Sequence, residues 1–537
     1  MKSTKIALKH KQTFFTLLVI GFFFAVGNLF AQDTVSVDNV SSEDIQEEEK
    51  DAFEELFQKI EESQAEEVVV EDTTDIPQQE IPEEDIFEES DIEEAVLISE
   101  PEIFERQSET DIAAKMIDII YKRTLRQPSS LQENPANLGI KHESFVSLSF
   151  LAPMLNMDLQ IANETLSIEN YNDFVSKDVL TFEDCQYFAG LFEKKGLPLY
   201  SQISLPTLFA LRIGPVFLNS GVFVGASGTL PGEILVIPFL GNQAPGFSFG
   251  NPITNMKTSA EVFAYTRSSL GVGHQVSQYI PTVKEIVEIR VGMAVNAYLG
   301  GFSLANAKNV SFGVDETTVT TSGTAVYSYI NSDEDIAIPD PTFGVDVGVG
   351  VKFKDFIDIP YVSNKIDVQL SFLDVGATLK STNMIKREYV WDAQVEDPVG
   401  TFSEDDLDID SLLNVQHTTL DSNVVMTEKL ASRMKFDITW QPIPYIMVRT
   451  GLTAFLNEGL GHEDSPRTYI DLDVFPVSWL VLNVGTGFNH GNGYLKLGLG
   501  FNTRVWDMGI YTYTLGSAGF TEKIRGVGIK MVNNWYF

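Results

Sequence analysis

From Ile140 to the end of the chain, apolar and polar positions alternate with period two. Tyr494–Asn502 sets Leu495, Leu497, Leu499 and Phe501 against Lys496, Gly498, Gly500 and Asn502. Arg433–Trp440 sets Met434, Phe436, Ile438 and Trp440 against Arg433, Lys435, Asp437 and Thr439, and Arg467–Val474 repeats the scheme with Ile470 and Leu472 against Asp471 and Asp473. Successive side chains of a strand point to opposite faces, so this pattern predicts strands with one apolar face. The other face carries Lys, Arg, Asp and Gly over strands of about ten residues, the length a tilted strand needs to cross a bilayer. Links divide into tight ones (Gln441–Pro444, Pro476–Ser478, Asn502–Arg504) and longer or more polar ones (Asn457–Pro466, Asn489–Gly493, Leu515–Arg525), as the two ends of a membrane barrel require. Trp440, Phe475, Trp479, Trp506 and Trp535 stand at these borders, where an interfacial girdle belongs. Stepping back in hairpins from Phe537 gives about fourteen strands, with Asn306–Ile330 left open as a further pair and larger turns expected at Gln275–Glu288 and Lys352–Lys365. The expected fold is an all-β membrane protein: an antiparallel outer-membrane β-barrel over residues 140–537 that closes by pairing its first strand with Gly526–Phe537.

Ahead of the barrel the pattern changes. Residues 1–31 carry Lys2, Lys5, Lys9 and Lys11, then an apolar run from Phe14 to Val26, and read as a secretory signal peptide cut after Ala31. Residues 32–105 hold 29 acids against two lysines, about −27 of the net charge of −39, and are expected to be a disordered acidic arm because so few apolar groups cannot offset chain entropy. Residues 106–139 are expected to form a short helix, Glu109–Arg126, ended by Pro128, and a segment able to plug the lumen. Thr165–Gln202 reads as partly helical.

Composition narrows the chemistry. The acidic balance disfavours nucleic acid as a partner. Cys185 is the single cysteine and has no base beside it in sequence, so neither a disulfide nor a thiol nucleophile is expected. No HExxH, paired-cysteine or Gly-rich phosphate motif occurs, so no cofactor, metal centre or catalytic residue is assigned and the chain is not expected to be an enzyme. His274 near Ser277 is the one hint of a hydrolase, and Ser403–Asp410, rich in acids, reads as a solvated loop with weak affinity for divalent cations as the lesser alternative.

Two local signatures resemble known outer-membrane families. Phe537, with Trp535 and Ile529 on the same face, is similar to the C-terminal signal read by the barrel-insertion machinery. The helix leading into Asn134-Pro135-Ala136 before the first strand resembles the long-chain fatty-acid transporter superfamily, whose barrels have fourteen strands and an N-terminal plug. A closer resemblance is to an uncharacterised group of Bacteroidota-type barrels, through the early Asn-Pro-Ala motif, the tract Pro206–Pro238, the Gly-rich Leu270–Gly273 and the segments Val291–Gly301 and Asp346–Phe353. The likeness spans roughly Asn134 to Phe537. It implies a conduit for hydrophobic or small solutes in the outer membrane, in contact with its lipids. The long acidic arm departs from the transporter pattern and supports an alternative: an envelope anchor or assembly partner whose arm meets a basic periplasmic partner or divalent cations.

Overall fold

The computed structural model describes residues 128–140, 146–150, 156–177, 180–193, 196–240, 252–280, 286–315, 318–331, 339–353, 365–396, 416–443, 445–463, 465–477, 479–503, 505–516 and 523–536. The signal, the acidic arm, Glu109–Arg126, Ser403–Asp410 and Phe537 lie outside them.

Alternation turns into strands wherever it was legible, and all of them join one antiparallel sheet of eighteen segments. These segments make fourteen staves, because four staves are each built from two segments in line. β1 (Val146–Phe150) and β2 (Asn156–Asn163) share the first stave, both lying between the same two neighbours. β3 (Leu197–Ile213), β4 (Val216–Leu230), β5 (Ile253–Gln275) and β6 (Val287–Val314) follow as single staves. β6 pairs with β8 (Thr342–Phe353) along its first half and with β7 (Thr318–Ile330) along its second, so β7 and β8 are one stave. By the same logic β9 (Lys365–Val375) continues into β10 (Thr378–Glu396), and β11 (Gln416–Lys429) into β12 (Arg433–Ile443). Six short staves complete the ring: β13 (Ile446–Phe455), β14 (Arg467–Val477), β15 (Leu480–Asn489), β16 (Asn492–Asn502), β17 (Trp506–Leu515) and β18 (Gly526–Tyr536).

β18 closes the barrel. Ile529 stands opposite Thr512 of β17 on one side and Leu159 of β2 on the other. Closure matters because an open edge in lipid would leave backbone N–H and C=O groups without partners. The first stave is interrupted between its two segments, and the Asn156 side chain bridges the seam: its Oδ1 accepts from Asn533 N (2.7 Å) and its Nδ2 donates to Asn533 O (2.9 Å), as a backbone would.

Polarity is inverted relative to a water-soluble core. Leu482, Val484, Leu497 and Leu499 stand exposed on the outer wall, while their neighbour Asn483 is 2% exposed and faces the lumen. Ile470 is 56% exposed, and the adjacent Asp471 and Asp473 are buried. An apolar outer belt around a polar interior is the polarity of a barrel standing in lipid, and it places the chain in an outer membrane. Among the described residues no helix is long and apolar enough to cross a membrane.

Several expectations change. A helix, α1, spans Pro128–Glu133, while the expected helix Glu109–Arg126 that Pro128 was to follow lies outside the described residues. Asn306–Ile330 adds no pair of staves but prolongs two existing ones beyond the common level at which the long staves break. At that level Tyr298, Phe302, Ala377, Leu379, Met384, Leu430 and Leu460 pack into an apolar cluster. Asn489–Gly493 is a tight turn, with His490 and Gly491 both at positive φ (49° and 69°), the signature of a two-residue hairpin loop whose twist suits the strands. The expected turns at Gln275–Glu288 and Lys352–Lys365 fall where β5, β6, β8 and β9 end and begin. Thr165–Gln202 contains α2 (Ile168–Ser176) and α3 (Phe182–Phe192), each started by a capping box, from Ser167 and Asn170 and from Thr181 and Asp184. Phe188 and Phe192 of α3 stack on Phe239 of α4 (Gly232–Leu240) at the end of the barrel away from Val146 and Tyr536.

Candidate functional site: the plugged lumen

The segment from Leu131 to Ile140 lies inside the barrel near the end where the first and last staves terminate, and nearly every residue in it is buried. α1 passes into a 3-10 turn, Pro135–Gly139, capped by Asn134, whose Oδ1 accepts from Ala136 N at 2.9 Å. Asn134-Pro135-Ala136, legible in the sequence as a motif, is therefore the turn of a segment that plugs this part of the lumen. Its Nδ2 reaches the wall at Gln369 Oε1 (3.2 Å) and Val349 O (3.4 Å). Two more bonds fix the plug: Ser371 Oγ donates to Glu133 O (2.7 Å), and Gln132 Nε2 donates to Pro206 O (2.7 Å).

The wall makes room for this backbone with glycine. A Cβ on Gly273 of β5 would come within 2.6 Å of Leu138 Cβ and 2.8 Å of Pro135 O. One on Gly292 of β6 would land on the Pro135 carbonyl, and one on Gly348 of β8 on Asn134 Oδ1. Three neighbouring staves thus share a recess in which only hydrogen fits between wall and plug. Below it Ile140 packs with Met447, Phe475 and Val481 of three adjacent staves in an apolar cluster. Phe475, expected in the outer girdle, is 1% exposed and points inward, because it shares parity with Asp471 and Asp473.

The rest of the inner wall is a lattice of ion pairs. Arg290 binds Asp367 at 2.5 Å, Arg267 binds Asp346, and Asp374 receives Arg433 (2.5 Å) and the Tyr298 hydroxyl (2.5 Å). Arg449 holds Asp473 at 2.8 Å, and Lys496 holds Asp471 at 2.6 Å. Charges removed from water are tolerated only when paired in this way. Lys496 and Asp437, read from the alternation as positions on the polar face, are members of the lattice: Asp437 accepts from Tyr469 at 2.5 Å and faces Lys435 at 3.4 Å. Sequence reasoning found the parity of these residues but not their cross-stave partners, such as Tyr469 for Asp437, 32 positions away, and Asp471 for Lys496, 25 positions away.

Cavities remain among the described residues, and two bear on the lumen. One, of about 250 Å³, lies directly above the plug and is lined by Glu133, Asp158, Lys435, Tyr469, Lys496 and Lys530 among others. Lys435 Nζ donates to Glu133 Oε2 at 2.5 Å, tying the plug to the wall across this chamber. Enclosure in the lumen pushes the Glu133 carboxyl up, but Lys435, Lys530 and Arg433 overturn that and hold it at about 2. The second, of about 280 Å³, opens toward the far end between Glu164, Glu261, Glu463, His462 and His490. His490 stacks on Tyr200 at 4.4 Å, and burial lowers its pKa to about 4, so it is neutral at pH 7.

The other candidates sit apart from the lumen chemistry. Ile529 faces outward on β18, Trp535 stacks on Trp506 (5.6 Å) at its end, and Phe537 lies beyond the described residues. His274 and Ser277 form no dyad. The His274 ring bonds Tyr279 (2.9 Å) and Gln278 (2.6 Å), while Ser277 Oγ accepts from Ile289 N at 3.1 Å. No group of His, Cys, Asp and Glu that could hold a metal ion is found among the described residues.

No protein-family model matches the chain, and no curated protein matches it. Solved structures similar to it include the P. putida toluene transporter TodX, at 9% identity and a TM-score of 0.36, covering 76% of this chain and 94% of that one. The Ralstonia pickettii toluene transporter TbuX follows at 10% identity and 0.36, covering 76% and 92%. A Pseudomonas aeruginosa FadL homologue stands at 9% identity and 0.30, covering 76% and 94%. The likeness carries no family, residue role or solute to this chain.

Proposed function

We propose that this chain is an outer-membrane conduit for small or hydrophobic solutes, closed at rest by its own Leu131–Ile140 plug. The observation that carries the reading is the plug itself. It is seated in a glycine recess by four side-chain hydrogen bonds to the wall and one ion pair, while about 250 Å³ of polar space stays open above it. An anchor has no need of a cavity or of a removable stopper; a filled lumen would serve it better. In this reading the barrel's first and last staves, at Val146 and Tyr536, have their chain ends on the periplasmic side, since an even number of staves returns the chain to the side where it began, and the plug closes that mouth. The far end, with α2, α3 and α4, then faces outward.

Swelling of proteoliposomes containing the full-length protein tests this. Entry of small sugars, amino acids or monoaromatic solutes above the rate of protein-free vesicles is the expected result. No entry for any solute class would leave the anchoring alternative, in which the acidic arm Gln32–Glu105 carries the function.

A further inference from the structure

The cavity that opens toward the far end is one-sided in charge. Glu164, Glu261 and Glu463 line it, and no lysine or arginine does. Two of these carboxylates are engaged: Arg467 Nε donates to Glu463 at 2.9 Å, and the Tyr200 hydroxyl donates to Glu164 at 2.8 Å. Glu261 has no cation. Its Oε1 accepts from Gly461 N and Ser227 Oγ, both at 3.2 Å, and it makes no ion pair among the described residues. In the luminal lattice, by contrast, Asp346, Asp367, Asp374, Asp471 and Asp473 each have a guanidinium or ammonium group. His490 is a second, independent sign. Its side chain is 7% exposed and lies on the wall of the same cavity, and its Nδ1 makes no hydrogen bond, with Glu463 Oε2 standing off at 3.6 Å. Buried polar nitrogens are almost always bonded, so one left over at a cavity wall marks a place for a ligand. Toward the plug the cavity continues into a narrow extension of about 50 Å³, which shares Glu261 and His490 with it and adds Ala162, Ala226 and Phe263.

We propose that this cavity binds the ammonium group of a small organic amine, with Glu261 as its counter-ion, His490 as a further acceptor and the body of the amine beside Phe263. This rests on the conduit reading and names a solute class for it. An ammonium group brings three N–H donors and no acceptor, which suits a wall of carboxylates and a neutral imidazole with one acceptor nitrogen. A charged donor on a carboxylate makes a stronger bond than a neutral one, and here it supplies the positive charge that Glu261 lacks. An anion would instead meet three carboxylates, and a neutral alcohol would bring one donor and no charge. Ala162, Ala226 and Phe263 suit a compact apolar or aromatic body, and the small extension leaves no space for a long chain.

Calorimetric titration of the detergent-solubilised full-length protein with benzylamine, and with benzyl alcohol as its uncharged counterpart, tests the site. Benzylamine should bind and benzyl alcohol should not. Glu261→Gln keeps an acceptor for Gly461 N and Ser227 Oγ but removes the charge, and should weaken benzylamine roughly tenfold, the weight of one charge-assisted hydrogen bond. His490→Asn suits the positive φ of that turn, so folding is retained, and should weaken it roughly threefold. Attraction of amines to the acidic residues 32–105 is common to all three proteins and drops out of the comparison. Equal binding of benzyl alcohol, or unchanged benzylamine affinity in Glu261→Gln, would overturn the proposal. Benzylamine binding that Glu261→Gln weakens, without solute flux in vesicles, would uphold this site and remove the conduit reading. Flux of neutral solutes without benzylamine binding would do the reverse.

Discussion

At the scale of single residues, parity decides most of what a substitution does. Leu497 faces lipid and Lys496, its neighbour, is bound to Asp471. Leu497→Arg near the bilayer midplane is expected to cost about 2–4 kcal/mol, read as a drop in the urea midpoint of refolding into vesicles. Lys496→Leu is expected to cost too, for a different reason: it strands Asp471 in the lumen without its ammonium partner. A barrel that tolerates both would have neither an apolar belt nor a luminal lattice. This parity was plain in the sequence. Phe475 shows where reading by residue type failed, since its aromatic character suggested the girdle while its parity with Asp471 and Asp473 already put it inside. The Glu133 latch adds a pH prediction. Its carboxyl is depressed from an ordinary value near 4.5 to about 2, so the seating it provides is present above pH 4.5 and is lost only as pH falls through 2. A spin label on α1, at Ser130→Cys in a Cys185→Ser background, should stay immobile from pH 7 to 4 and gain mobility as pH falls toward about 2; loosening between pH 7 and 5 would contradict the latch.

At the scale of elements, the plug and its recess show how far a single sequence reaches. Asn134-Pro135-Ala136 stood out locally, because proline after a capping asparagine has a fixed structural meaning. Gly273, Gly292 and Gly348 did not stand out as its partners, since they lie about 140 to 215 positions further on, and nothing in a Gly-rich strand says which backbone will approach it. The same holds for the seam. The interrupted first stave cannot be seen as one stave until β3 and β18 are found on both sides of its two segments. Asn156 replaces backbone pairing there, so Asn156→Ala should remove the Oδ1 acceptor of Asn533 N–H and one of the two side-chain donors to its carbonyl, Ser149 Oγ being the other, and cost about 1–3 kcal/mol. Faster amide exchange at β18 than at β15 or β16 in that variant would be the sign; unchanged exchange would mean the seam is held elsewhere. The terminal strand carries a second proposal: loss of Phe537 should impair insertion more than any loop change, seen as loss of the heat-modifiable band in gels.

At the scale of the whole molecule, the number of staves was legible because each hairpin leaves a polar link between two alternating runs. The eighteen segments were not, because breaks within a stave come from side chains elsewhere, such as the cluster around Tyr298 and Leu430. The acidic arm is read from composition alone and lies outside the described residues, so it is carried here as a proposal: removal of Gln32–Glu105 with the signal retained should leave the heat-modifiable barrel intact, and a truncated chain that fails to insert would make the arm part of the fold. The central claim is that the plug closes a pathway, and planar-bilayer recording of the purified barrel with Gly292→Val tests it most directly. A side chain at Gly292 meets the Pro135 carbonyl and must expel the plug from its recess while leaving the lipid face untouched. The account predicts a small or rarely opening conductance for the unaltered protein and a larger, persistently open one for the variant; equal conductance in the two, with both folded, would contradict it.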